Sequence, residues 1–569
     1  MRKYLLSALL LVASLTAWAS PAKPGQWRNI TLTDGTIVNA QLQGDEFLKF
    51  YEDANGTRYV PDGTSTYKIL SDTELNTARQ KVSLKRSLSQ QKRSFARATS
   101  TQPIFQGVKK GIVILVNFTD KKFQSKHNLA LYQNILNGDN YTENGFYGSV
   151  KDYFKAQSQG QFELDFDIYG ICPLANKMSY YGANDPSNGD NDIRPGEMVA
   201  EACLWAKQQG ANFADYDWDG DGYVDQVFVL YAGLGEADGG SANTIWPHMY
   251  ALSAGDYGKA IRLDGVVIDT YACSSELDGS KELAGIGTFC HEFSHCMGFP
   301  DLYDTVYGAK GWFGMGDFDL MCSGSYNGNG YIPAGYSAYE KAECGWISLN
   351  DMTDIEEAQT ITSIKPQSEQ GEAYIIKNKA HNNEYYIVEN RQATGWDSAL
   401  PGTGVMITHV DYDEDIWLYN VPNTKKGEYL DAWGRRHTNT HPRLTIFHAD
   451  NSDTWTEVSE KNDLYPYGKN NSLNKSSFPK ASVYNTNSDG TYYMHIAIND
   501  MAIAQDGTAS LSFVPYTNAS GIKNIGSQSD SKTIVGYFSL EGLRYNEPQE
   551  GVNIVKYADG STQKMIYNK

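Results

Sequence analysis

The chain of 569 residues carries 48 basic and 68 acidic residues, a formal net charge of −20. That balance disfavours nucleic acid and anionic membrane surfaces as partners and suits an exported protein that holds cations. The length excludes a single core and implies roughly three or four domains.

Arg2 and Lys3, an apolar run from Tyr4 to Leu15 and the small-x-small set Ala17, Trp18, Ala19 read as a secretory signal over residues 1–19. No later apolar run approaches the roughly 18 residues that span a bilayer, so a secreted or extracellular location is expected, with no transmembrane span. Residues 20 to about 75 alternate apolar and polar positions between Asp-Gly and Asn-Gly turns, as small hairpins do. From Thr77 to Ser100 the chain turns polar and basic, with Arg79, Lys81, Lys85, Arg86, Lys92, Arg93 and Arg97. Such a stretch packs no core. It is read as the end of a propeptide with a processing site, and a plain interdomain linker is the alternative.

Gly111–Phe118 is a continuous apolar and β-branched run suited to a strand buried on both faces. A helix over Val150–Gln157, a strand in QFELDFDIYG, an acid-rich loop over Asn184–Asp192 and a helix at about Pro195–Gln209 follow. This order predicts an α/β layer. Next comes DYDWDGDGYVD, in which Asp217, Asp219 and Asp221, Gly222 and Asp225 match positions 1, 3, 5, 6 and 9 of a calcium loop, with Tyr223 offering its backbone carbonyl. The twelfth position is Phe228, not Glu, and QVFVLYAG reads as a strand, so the loop is not a complete EF-hand. Five acids in eleven residues repel one another unless a cation neutralises them. Bound calcium is therefore the expectation, against a solvated acidic turn.

HEFSHCMGFPD, residues 291 to 301, carries the chemistry. HExxH sets His291 and His295 one helical turn apart on one face, where both imidazoles reach one zinc ion. Glu292 is then placed as the general base for water activated there. Gly298 supplies the helix stop, and Asp301 returns a carboxylate as third ligand, which leaves one position open as in catalytic rather than structural zinc. Asp304 is the rival third ligand. A more distant rival is a glutamate on a later helix, Glu340 or Glu343. Met321 in DFDLMCSGSY fits the Met-turn of metzincins. The seven cysteines form no CxxC pair and their odd number leaves at least one thiol unpaired; Cys290 falls in the apolar stripe Ile286, Cys290, Phe293, Met297 and reads as core.

HEFSHCMGFPDLYD, the DWDGDG loop, YFKAQSQGQFELDFDIYG and DLMCSGSY together resemble the immune inhibitor A family of secreted bacterial metallopeptidases, over roughly residues 25 to 515. The resemblance implies a zinc and calcium endopeptidase of metzincin type, made as a preproprotein and acting on protein or peptide substrates. One departure is Ser323, where many metzincins place a tyrosine two residues after the turn Met; Tyr326 or a neighbouring tyrosine is the substitute. With no cysteine before Cys172, latency cannot use a propeptide thiolate, and Asp45 or Glu46 is the candidate cap.

Residues 351–515 alternate in short segments (AYIIKN, EYYIVENRQ, GVMITHVDYD, YYMHIAIND, SLSFV) and predict an antiparallel β domain in which His409 is structural. After a polar spacer, the tail resembles the small C-terminal β modules that Bacteroidetes use for outer-membrane export or surface attachment, and a plain β appendage is the alternative. The expected organisation is thus a signal peptide at 1–19, a propeptide with basic linker at 20–100, an α/β (α+β) metzincin-like zinc protease domain at 101–350, a β-rich domain at 351–515 and a C-terminal β module at 516–569. The competing function from another class is a surface adhesin whose metal is only structural.

Overall fold

The computed structural model describes residues 18–62, 65–79, 104–185, 191–309, 311–425, 427–430, 435–455, 459–516, 534–540, 542–557 and 562–567. Most of the expected signal peptide, the basic linker beyond Arg79, the middle of the acid-rich loop and the polar spacer after residue 516 lie outside them. The described residues up to Val514 form one compact unit, and those from Pro515 onward form a second.

In chain order the first unit begins with a short strand β1 (Trp18–Ala19) and a five-stranded sheet of β2 (Trp27–Thr31), β3 (Ile37–Gly44), β4 (Lys49–Asp53), β5 (Arg58–Pro61) and β6 (Tyr67–Ile69). The α/β part contains β7 (Gly107–Asn117), α1 (Leu129–Asn137), α2 (Val150–Gln157), β8 (Phe162–Pro173), α3 (Pro195–Gln208), β9 (Val227–Leu234), β10 (His248–Ala251), β11 (Thr270–Leu277), α4 (Gly287–Met297) and α5 (Ala338–Glu343). Its six-stranded sheet runs β1-β10-β11-β9-β7-β8. β8, β7, β9 and β11 run parallel to one another, whereas β10 runs antiparallel to β11 and β1 antiparallel to β10.

The apolar run in β7 is explained by burial on both faces. Val113 and Leu115 join one core with Phe289, Cys290, Phe293 and Met297 of α4, while Ile112, Ile114 and Val116 join the other with Met198, Val199, Ala202 and Cys203 of α3. Phe228 of β9 stacks on Phe289 with centroids 3.8 Å apart, fixing α4 against the sheet. α2 starts where the sequence predicts because Ser149 and Asp152 form a reciprocal capping box. All seven cysteines are free, and Cys290 is buried as expected. Between β9 and α4 the sequence reading proposed no elements. β10 and β11 lie there because Tyr271–Cys273 and Met249 bury side chains into the cores from segments too short and too mixed to stand out.

The β-rich part holds a five-stranded and a three-stranded sheet. Tyr374–Asn378, His381–Arg391, Gly404–Asp411 and Leu444–Ile446 pair antiparallel, and a single parallel pair joins Asn350–Asp351 to the first of them. In the second unit, Ile534–Phe538, Arg544–Tyr545, Gly551–Tyr557 and Thr562–Tyr567 form a four-stranded antiparallel sheet. No helix among the described residues is long and apolar enough to cross a membrane.

Candidate metal centre and cleft

The metal-binding motif sits on α4, which ends where Gly298 adopts φ 103°, ψ 12°. That left-handed turn lets the Gly298 N–H bond the His295 carbonyl and swings Phe299 round, so that its carbonyl lies 2.8 Å from His295 Nδ1. His291 Nδ1 lies 2.8 Å from the Leu320 carbonyl. With both Nδ1 atoms facing carbonyls, each Nδ1 carries the proton and each Nε2 is left with its lone pair. Those two Nε2 atoms are 3.1 Å apart, and each is 3.2 Å from Asp301 Oδ1. Lone pairs do not converge in a buried site without a cation between them, and Asp301 Oδ1 has no hydrogen-bond donor among the described residues. The donor set of two imidazoles and one carboxylate suits zinc. Burial would raise the Asp301 carboxyl, but the two imidazoles outweigh it and hold it below the usual range.

Asp301 is itself held: Asn420 Nδ2 donates to its Oδ2 at 2.6 Å, and Asn420 Oδ1 accepts from its N–H at 2.7 Å. Nothing in the sequence reading pointed to Asn420, which lies 119 positions away. Asp304 is turned elsewhere, accepting from the N–H groups of Val306 and Gly308, and burial pushes it up to about 6. Glu340 is likewise occupied, closing the capping box of α5 with Ser337. Met321 is fully buried, its N–H donating to Asp319 and its carbonyl accepting from Leu302 N–H. The carbonyl that orients His291 belongs to the residue just before it.

Glu292 faces a segment the motif does not reveal. Its Oε1 accepts from the N–H of Ser20 at 2.7 Å and from the Ser20 hydroxyl at 2.5 Å, while its Oε2 is buried without a hydrogen bond among the described residues. Burial raises the Glu292 carboxyl to about 8, against the opposing pull of His291 and Ser20. Three donors grip the backbone around Ser20: Tyr303 OH reaches the Ala19 carbonyl, Trp246 Nε1 the Ser20 carbonyl, and Tyr326 OH the Pro21 carbonyl, at 2.7, 2.8 and 2.7 Å. Ser323, at the position two after Met321, instead bonds Asp317. The cap expected from Asp45 or Glu46 is corrected by this arrangement. Asp45 Oδ1 accepts from the N–H groups of Phe47 and Leu48 in its own turn, Glu46 accepts from Asp192 N–H, and neither belongs to the His291, His295, Asp301 cluster. A turn carboxylate is drawn to its own unpaired amides first.

In the acidic loop, carboxylate oxygens of Asp217, Asp219 and Asp225 lie within 4.8 Å of one another. Asp217 accepts from Gly220, Asp221 and Gly222 N–H groups, so the backbone wraps around it. Burial and the neighbouring carboxylates push Asp225 up to about 7. Asp221 lies outside the cluster, its Oδ1 accepting from Tyr223 N–H, and Tyr223 forms a parallel bridge to Val267.

With this geometry in place, the chain can be set beside known proteins. Residues 106–347 match the family described as "Immune inhibitor A peptidase M6, catalytic domain". That segment is similar to the catalytic domain of the immune inhibitor A peptidases. The chain is similar to "Pre-pro-metalloprotease PrtV" of Vibrio cholerae serotype O1, at 28% identity over 240 residues, covering 37% of this chain and 25% of that protein. It is also similar to "Immune inhibitor A" of Bacillus thuringiensis subsp. alesti, at 25% identity over 272 residues, covering 41% of this chain and 39% of the relative. The matched stretch thus spans about a quarter to two fifths of the length of these relatives. Within this peptidase domain lie the HExxH helix, the acidic loop, β10 and Met321; Ser20 and Asn420 lie outside it on either side.

Proposed function

We propose that the chain is a secreted zinc endopeptidase of metzincin type, made as a preproprotein, with an export signal at 1–19, a pro-segment and basic linker at 20–100, the protease domain at 101–350, a β-rich domain at 351–515 and a C-terminal β module at 516–569. The observation that carries the reading is the convergence of His291 Nε2, His295 Nε2 and Asp301 Oδ1 beside the carboxylate of Glu292. Zinc held by those three groups supplies Lewis acidity for the scissile carbonyl and for water. Glu292 takes the proton of the attacking water and returns it to the leaving amine. Tyr326, whose hydroxyl already donates to a carbonyl in the cleft, is the candidate for the oxyanion partner that Ser323 cannot be.

The backbone of residues 18–21 supports the cleft assignment. Trp18 and Ala19 pair antiparallel with β10, and the carbonyls of Ala19, Ser20 and Pro21 are gripped by Tyr303, Trp246 and Tyr326. A substrate main chain added to the same edge would meet the same donors. While Ser20 donates to Glu292 the general base is engaged, so the start of the pro-segment at Ser20 and Pro21, which remains once residues 1–19 are removed, is the latency device. The adhesin alternative gives Glu292 no role. Calcium in the loop of Asp217, Asp219 and Asp225, with Asp221 and Tyr223 closing in when it binds, is the proposed brace for β9. The C-terminal unit is proposed as the export or attachment module.

The test is Glu292→Gln. It should retain zinc by elemental analysis and lose casein hydrolysis by roughly 10²–10⁴-fold. Cleavage at the wild-type rate would refute the assignment.

A further inference from the structure

A second buried carboxylate cluster stands one residue away from the cleft. Oxygens of Glu46, Asp192 and Glu236 lie within 4.8 Å of one another. Glu46 comes from the turn before β4, in the pro-segment, whereas Asp192 and Glu236 belong to the catalytic domain. The ammonium of Lys49, the first residue of β4, is lodged among them: 2.7 Å from Glu236 Oε2, 3.2 Å from Asn184 Oδ1, 3.8 Å from Glu46 Oε2 and 5.1 Å from the centre of the Trp246 ring. Its side chain is only 6% exposed. The catalytic-domain groups are themselves fixed, Asn184 Nδ2 donating to Glu236 Oε1 and Trp246 N–H to Asp192 Oδ2. Asp192 Oδ1, though buried, accepts no hydrogen bond among the described residues.

Trp246 ties this pocket to the chemistry. The same residue that lies under the Lys49 ammonium donates its indole N–H to the Ser20 carbonyl, and Ser20 donates to Glu292. The pro-segment contributes one carboxylate and one ammonium to the cluster, so its departure leaves two carboxylates, facing the space that Glu46 and Lys49 filled, and no cation. An anionic pair without a counter-charge draws in whatever cation can reach it. An aromatic face beside the carboxylates favours an ammonium or guanidinium on an alkyl stem over a small hydrated ion.

We propose that Asp192 and Glu236, over Trp246, form a subsite for a basic side chain: in the zymogen Lys49 fills it, and in the activated peptidase a Lys or Arg of the protein substrate does. The inference rests on the peptidase reading above.

Two measurements test it. Full-length protein is produced as wild type, Glu236→Gln and Asp192→Asn, matured, and profiled on peptide pairs that differ only by Lys or Met at each position around the cleaved bond. One fixed position should show kcat/KM at least tenfold higher for Lys in the wild type, and the ratio should fall to within about twofold of unity in both variants. A ratio unchanged by the substitutions, or a wild type that cleaves both peptides equally, overturns the proposal while leaving the peptidase reading intact. The second measurement needs no catalysis. In unprocessed protein, hydrogen exchange of β4 amides should rise in Lys49→Met and in Glu236→Gln, the double variant should add little to either, and Lys49→Arg should restore protection. Additive effects overturn the proposal. So would elemental analysis showing a bound metal lost from Glu236→Gln but kept in Lys49→Met, which would make the cluster a metal site.

Discussion

At the scale of single residues, the most consequential partner of the metal centre is Asn420, which grips both the carboxylate and the N–H of Asp301. Removing it leaves Asp301 Oδ2 buried without its donor and frees the side chain to rotate away from the imidazoles. Asn420→Ala should therefore weaken zinc binding about 10–100-fold in a competitive chelator titration, with kcat per bound zinc changing less than apparent affinity. Equal zinc retention in wild type and variant would remove Asn420 from the metal centre. Its absence from the sequence reading has a physical reason. His291, Glu292 and His295 are legible because helical geometry makes their spacing a spatial statement. Asn420 becomes a neighbour only through the packing of the β-rich part against the Phe299–Thr305 loop, where its carbonyl also takes the Thr305 hydroxyl. Ser20 was hidden for the same reason: a serine after a signal sequence has no local signature.

The elements themselves follow from propensity and burial where they are long. α2, α3, α4, β7 and β9 could be placed from periodicity, whereas β1 exists only by pairing with the distant β10, and the short β10 only by pairing with β11 and β1, so neither could. The end of α4 gives the sharpest test at this scale. Gly298 sits at φ 103°, and a side chain there costs roughly 1–2 kcal/mol. Gly298→Ala should lower the thermal midpoint and, by shifting the Phe299 carbonyl from His295 Nδ1, reduce zinc affinity as well. In the β-rich part, two neighbouring strands share the buried pair Glu384 and His409, 2.9 Å apart, with Tyr484 and Asn485 N–H groups also donating to Glu384. Burial opposes the charge, yet these partners win and hold Glu384 at about 2, below its ordinary 4.5. Because the folded value is depressed, the stabilisation is full above pH 4.5 and is lost as pH falls from there toward 2. It amounts to about 3 kcal/mol. Urea unfolding should therefore show Glu384→Gln well below wild type at pH 7 and nearly level with it at pH 2.

Across the whole molecule, charge ties these parts together. A net charge of −20 is distributed so that several carboxylates meet in clusters of three rather than being spread evenly over the surface. At Glu46, Asp192 and Glu236 the charge is met by an ammonium from the same chain. Among the described residues no lysine or arginine pairs with Asp217, Asp219 or Asp225 of the acidic loop, the Lys109 ammonium going to the Trp218 carbonyl, so a cation from solution is expected to relieve their repulsion. That loop feeds straight into β9, the strand at the centre of the sheet that carries α4 through the stacked rings of Phe228 and Phe289. A calcium-specific chelator should therefore act at a distance. At calcium concentrations about a hundredfold above the dissociation constant, binding contributes about 2.7 kcal/mol, which corresponds to about 2–3 °C for a unit that runs to Val514. With free zinc buffered, EGTA should lower the melting temperature by that amount while zinc content by elemental analysis stays constant, and Asp217→Asn with Asp219→Asn should reproduce the lower midpoint and abolish the response to EGTA. A double variant that still loses stability on chelation would show that the stabilising calcium lies elsewhere in the chain.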